Sequence, residues 1–201
     1  MVEFVRKPPA DDGDDSAPAA VASAFFVALW FCRRAAQGGI ALQPMKLQAL
    51  LFLAQAGYAA QTAGRVLMPA VFVADERGPI EPNVECVLAT GWLGEGTDML
   101  IAPAIEVALE QIWRLFGPAQ QPDALALAKS FPAFRQALRR AARRAVPLSA
   151  MAQSFVEWWQ SSDLPSTESV GRPRLLRTQT GRMVNVKTWN PAAAATDSGR
   201  G

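Results

Sequence analysis

The sequence predicts a mainly α protein: a compact helical domain with one small β-hairpin or short strand pair, and disordered N- and C-terminal tails. Three observations predict it. Apolar residues recur at three- and four-residue spacing across most of residues 18–160. Proline opens and glycine follows successive apolar runs, the asymmetry of helix starts and stops. Only one run, residues 66–73, is brief and β-branched enough for a strand or hairpin.

The elements follow in chain order. Residues 1–17 hold Pro8, Pro9 and the acids Asp11, Asp12, Asp14 and Asp15 with few bulky apolar groups, and are expected to be a disordered acidic tail. Residues 18–37 read as the first helix, with Ser16 as cap, Pro18 in its opening turn and Gly38 and Gly39 as the stop. Its centre is apolar nearly all round, as in a helix buried on most sides. The second helix opens at Gln43 and Pro44 and places Leu47, Leu50, Leu51, Ala54 and Tyr58 on one apolar face before Gly64 ends it. Arg77, Gly78, Pro79, Ile80, Glu81 and Pro82 then read as a rigid turn, because glycine and two prolines punctuate it. Residues 83–93 are a short helix running into a loop with Gly91, Gly94 and Gly96. Thr97 or Asp98 caps the next helix, whose stripe is Ile105, Leu109, Ile112, Trp113 and Phe116. Segments 122–129, 131–144 and 148–160 complete the helices. Residues 161–201, with Arg172, Arg174, Arg177, Arg182 and Lys187 among small and polar neighbours, are expected to be a disordered basic tail.

Composition excludes much chemistry. With no histidine there is no Ser-His-Asp triad, no His-ligated metal and no imidazole base. Cys32 and Cys86 are single and far apart, so no thiolate cluster forms. The carboxylates Asp75, Glu76, Glu81 and Glu85 lack a companion base or metal-site spacing, and no phosphate loop or nucleophile elbow is present. No enzymatic activity and no cofactor are expected. The uncharged stretch 16–32 is about one turn short of the ~20 residues a bilayer span needs. It follows acids rather than a positive front end, so the cytoplasm is the expected address and no membrane is a partner.

The net charge of +2, from 20 basic against 18 acidic residues, is too small to argue for nucleic acid. Local clustering is another matter. Lys129, Arg135, Arg139, Arg140, Arg143 and Arg144 fall in one stretch without an acid. On a continuous helix Arg135, Arg139 and Arg143 share one face, where like charges repel by tenths of a kcal/mol per pair. Three things can offset this: acids of the same chain (Glu106, Glu110 or the acidic tail), an acidic protein partner, or nucleic acid. Trp158 and Trp159 cannot share a helix face, so one belongs to the core; Trp159 is a candidate interface anchor.

The second helix carries a further pattern. Lys46, Leu47, Gln48, Leu50, Leu51, Phe52 and Gln55, then Gly64 to Leu67, then Gly78, Pro79, Ile80, Glu81 and Pro82, stand in one order and spacing. Further on come residues 109–117, 124–128 and Pro132, Ala133 and Phe134. This series resembles the Panacea domain, the SocA-like antitoxin family, over roughly residues 22–157. Ala49 stands where the family has a second lysine, and Phe134 where it has tryptophan. The resemblance implies a bacterial antitoxin-like protein that neutralises a cognate protein toxin, encoded next door, by direct complex formation. Some members act as adaptors that deliver the toxin to a protease, a second implied partner. Lys46, Gln48, Gln55, Arg77, Gly78, Pro79 and Glu81 are the candidate partner-binding residues of that segment, with Arg135, Arg139, Arg143 and Trp159 added on electrostatic and aromatic grounds. The alternative is a nucleic-acid-associated regulator that uses the basic helix and tail.

Overall fold

The computed structural model describes residues 18–90, 101–117, 123–162, 174–177 and 183–186. Among them the chain is mainly helical, as expected. Its elements are α1 (Ala24–Gln37), α2 (Pro44–Gln61), β1 (Val73–Asp75), β2 (Gly78–Ile80), α3 (Pro82–Ala89), α4 (Pro103–Phe116), α5 (Ala124–Ser130), α6 (Pro132–Arg140), β3 (Arg144–Ala145), α7 (Leu148–Ser161), β4 (Arg174–Arg177) and β5 (Met183–Val186). One compact unit holds α1 to α7 and β1 to β3; a second holds β4 and β5.

In the first unit α2 is the axis. Leu50, Leu51, Phe52 and Leu53 are consecutive and apolar, so the helix has no polar side to offer water. Every residue from Leu47 to Gly57 is buried. The expected single apolar face is therefore corrected: α2 is enclosed all round, with α1, α4, α5 and α7 packed against it. Each fully buried Leu or Phe contributes roughly 1.5–3 kcal/mol, which makes this helix the largest block of the core. At Gly57 an added Cβ would lie 3.1 Å from Ile112 of α4 and from the Phe155 ring of α7, so three helices cross closely there. A chain of rings ties the layers together. Phe72 meets Phe52 at 5.5 Å between centroids, Phe52 meets Phe131 at 5.9 Å, and Phe131 meets Phe155 at 6.5 Å.

The small sheet is antiparallel in the order β2-β1-β3. Val73 faces Ile80 on one side and Ala145 on the other. The Gly78-Pro79-Ile80 segment, expected as a turn, is itself a strand, and the reversal sits at Glu76 and Arg77. Gly78 is needed at the start of that strand for two reasons. Its φ of 146° is open to glycine, and a Cβ would come within 2.6 Å of Leu125 Cδ1.

Several expected boundaries are corrected. The first helix starts at Ala24 rather than residue 18, because Ala20 and Val21 donate their N–H groups to the carbonyls of Val66 and Leu67 at 3.0 and 2.7 Å. Ser23, extended, then caps it by accepting from Phe25 N at 3.2 Å. The same bonds tether residues 66–67 without making the whole 66–73 run a strand. The fourth helix starts at Pro103 with Ala102 as its uncapped boundary. The basic helix stops at Arg140, so the chain leaves helix geometry before Arg143, whose φ is 56°. Within 161–201, expected to lack structure, β4 and β5 pair antiparallel, with Arg174 opposite Val186 and Arg177 opposite Met183. Ser16, the four acids of 11–15, the 91–96 glycine loop, Thr97, Asp98, Arg172, Arg182 and Lys187 lie outside the described residues.

No helix among the described residues is long and apolar enough to cross a membrane.

Candidate functional site

The candidate residues divide into an inner set and an outer set. The inner set forms a clasp between α2 and the strand-to-helix corner. Gln48, 1 % exposed, accepts from Glu81 N at 2.8 Å and donates through Nε2 to Glu81 O at 3.2 Å, so its amide closes both backbone groups of one residue. Glu81, also 1 % exposed, turns its carboxylate to the start of α3. It accepts from Val84 N at 2.7 Å, as a helix cap does, and from Asn83 Nδ2 at 3.0 Å. Gln55 is buried about two helical turns further along α2, where its carbonyl receives Met68 N at 3.1 Å and fixes the loop before β1. Gly78 and Pro79 are buried in β2. All five are candidate partner-binding residues; the polar side chains of Gln48, Gln55 and Glu81 are buried and matched within the chain, because a buried amide or backbone group left unmatched costs about 1–3 kcal/mol.

Lys46 sits at the rim of this set. This candidate partner-binding residue is engaged within the chain: Nζ lies 2.6 Å from Asp123 Oδ2, with the lysine side chain only 14 % exposed. Asp123 also caps α5 by accepting from Leu125 N and Ala126 N, both at 3.0 Å. The Lys46 bond, followed by these backbone donors, holds the Asp123 carboxyl below the ordinary carboxylate range.

Beside the clasp is a quartet of charges. The Arg77 guanidinium bonds Asp75 at 2.9 Å and Glu85 at 2.6 Å; that of Arg143 bonds Glu85 at 3.0 Å and Asp75 at 3.5 Å. The Arg77 bond holds Asp75 below its ordinary value. Burial pushes Glu85 up, but the bonds from Arg77 and Arg143 outweigh it and the net direction is down. Arg143 therefore faces intramolecular acids, and they are Asp75 and Glu85 rather than Glu106 or Glu110. Glu110 bonds Arg34 at 3.0 Å and Arg114 at 3.2 Å.

The outer set is what remains of the basic stretch. Arg135, Arg139 and Arg140 of α6 and Arg144 of β3 are exposed. None of the four makes an ion pair among the described residues. Lys129 is tied to Glu76 O at 2.8 Å. With Arg143 removed to the quartet, the expected three-arginine line on one helix face becomes a broader patch spanning α6 and β3. A concavity of about 360 Å³ lies under it, between the two elements. Trp159 is half-buried rather than free, packed 6.0 Å from Trp158, which itself rests on Phe116 and Phe155.

A larger concavity, about 740 Å³, opens between α1 and α4. Its Arg34 and Arg114 both bond Glu110, and Arg34 lies 5.7 Å over the Trp113 ring, so these three charges are engaged within the chain. Among the described residues no group of three or more Cys, Asp or Glu could hold a metal ion.

No family model, curated protein or solved structure matches the chain.

Three features were missed in the sequence. Asp123 immediately before an apolar run is a helix-cap signal that opening the helix at Pro122 passed over. The quartet joins residues more than fifty positions apart, which no local spacing reveals. Strand β3 is two residues long and carries no periodicity.

Proposed function

We propose that the chain is an antitoxin-like binding module that neutralises a cognate protein toxin by direct complex formation. The observation that carries this reading is the clasp. The ordered motif residues that resemble the Panacea domain, Gln48 on α2 and Glu81 in the Gly-Pro-Ile-Glu-Pro segment, are 33 positions apart and bonded twice to each other. Residues that recur together as a motif are thereby joined as a fold determinant, which supports kinship in fold. The binding reading itself comes from the resemblance.

On this reading the chain has no catalytic step of its own and works in the cytoplasm. Its rigid core presents the exposed cations of α6 and β3 to an acidic partner. Such charges raise the association rate and make it salt-dependent. Delivery of the complex to a protease is the extension that the resemblance implies.

The test is co-expression with the product of the neighbouring gene. The reading predicts relief of any growth arrest that product causes, and co-elution of the two purified proteins. Persistent arrest with no complex between soluble partners would overturn it. The same unneutralised arginines favour a second reading, a nucleic-acid-associated regulator. Salt separates the two, since a complex built on many phosphates weakens by about 10³–10⁵-fold between roughly 50 and 200 mM salt.

A further inference from the structure

We infer that the open edge of β3, with the arginines beside it, is a docking seat for an extended, carboxylate-rich segment of the partner polypeptide. The inference rests on the binding-module reading and gives that module a specific surface. Strand β3 is the last in the order β2-β1-β3, so it pairs with β1 on one side and, among the described residues, with no strand on the other. Val146 donates its N–H toward Phe72 O at 2.8 Å. In a pleated antiparallel ladder the residue before it turns the other way, so the N–H and C=O of Ala145 point to the open side. Both residues of β3 are exposed.

The surroundings of that edge fit one kind of occupant. The concavity of about 360 Å³ is walled by Gln136, Ala137 and Arg140 from α6, and by Arg144, Ala145 and Pro147. Its floor is small and apolar, while two guanidiniums stand at its rim with no ion pair among the described residues. Arg135 and Arg139 extend the positive field along α6. An added strand alternates its side chains between faces, so an alternating acidic and apolar segment sends its apolar groups to the floor and its carboxylates to the rim. Guanidinium and carboxylate match in a planar, two-bond geometry, whereas a duplex would find one short edge and a concave apolar floor. Pro147 and the two-residue length of β3 fit a natural edge strand, which such features guard against indiscriminate pairing.

The experiment uses the full chain and a fluorescent ten-residue peptide of alternating glutamate and valine. Fluorescence anisotropy is read against a lysine-valine peptide and a 20-base-pair duplex. The acidic peptide is expected to bind and the lysine peptide not to bind. R140E/R144E should weaken the acidic peptide at least about tenfold. Ala145→Pro removes the outward N–H without removing a bond to β1, and should weaken it by a similar factor; circular dichroism verifies that each variant is folded. No binding at about 1 mM peptide overturns the inference. So does binding that survives Ala145→Pro in a folded protein, since plain charge attraction then suffices. Preferential binding of the duplex overturns it in favour of nucleic acid. Peptide binding that emerges only when Asp11, Asp12, Asp14 and Asp15 are replaced by Asn would make the chain's own acidic segment the occupant, and also overturns it. Growth relief by R140E/R144E at the wild-type level would remove the seat while leaving the antitoxin reading intact.

Discussion

The polar groups of the α2 clasp and those of the α6–β3 surface are opposites. Gln48, Gln55 and Glu81 are within 2 % of complete burial, and their side chains are matched by backbone or side-chain partners. Arg135, Arg139, Arg140 and Arg144 are exposed and make no ion pair among the described residues. The first group looked like a binding motif because it stands out in sequence; in three dimensions it fastens one part of the fold to another. The second group stood out in sequence only by its charge, and it is where exposed cations without an ion pair among the described residues gather. A recurring polar residue within an apolar run is therefore as much a candidate for an internal tie as for a contact with another molecule.

The contrast can be broken in order of expected effect. Replacing Gln48 by Leu leaves the Glu81 N–H buried without a partner, while the Glu81 C=O keeps only the Glu85 N–H. The unfolding free energy should fall by about 1–3 kcal/mol, read by chemical denaturation. A loss under about 0.5 kcal/mol would mean that the clasp is not a stabilising tie. Gly78→Ala should cost roughly 1–3 kcal/mol, because the side chain meets Leu125 and the backbone is strained at that φ. Lys46→Met removes one partner of a half-exposed ion pair while Asp123 keeps its cap, so about 1 kcal/mol is expected by the same measurement. Arg139→Glu touches only the surface: stability should change by less than about 0.5 kcal/mol, while association with an acidic partner slows severalfold in stopped flow.

Acid should act on the rim rather than on the clasp amides. Asp75, Glu85, Glu110 and Asp123 are all held below their ordinary values in the folded chain. The unfolded chain then binds more protons, so these groups contribute stability that is complete above the ordinary carboxylate range near ~4 and is lost as pH falls through the folded values. Asp75→Asn should flatten that acid limb in pH-dependent denaturation, and an unchanged limb would remove the quartet as a contributor.

Much of the fold was legible, because its signals are local. Pro44 opens α2 as expected, α3 and α6 begin at Pro82 and Pro132, one residue from their expected starts, and the stripe of Ile105, Leu109, Ile112, Trp113 and Phe116 is buried as its spacing predicts. The errors came where long-range bonds decide. Backbone pairing of residues 20–21 with 66–67 delays α1, and α2 loses its expected outer face because four helices surround it. The candidate site was less legible. Whether Gln48 points to a partner or to Glu81 depends on where a chain 33 residues away returns, and helical spacing at Arg135, Arg139 and Arg143 carries no mark of the break after Arg140.

Hydrogen exchange on the chain, alone and with the neighbouring gene's product, tests the division most directly. The α2 amides should be slow in both states, and new protection on complex formation should fall on residues 132–147. New protection confined to the Arg77–Pro82 corner or the α1–α4 concavity, with 132–147 unchanged, would contradict the account.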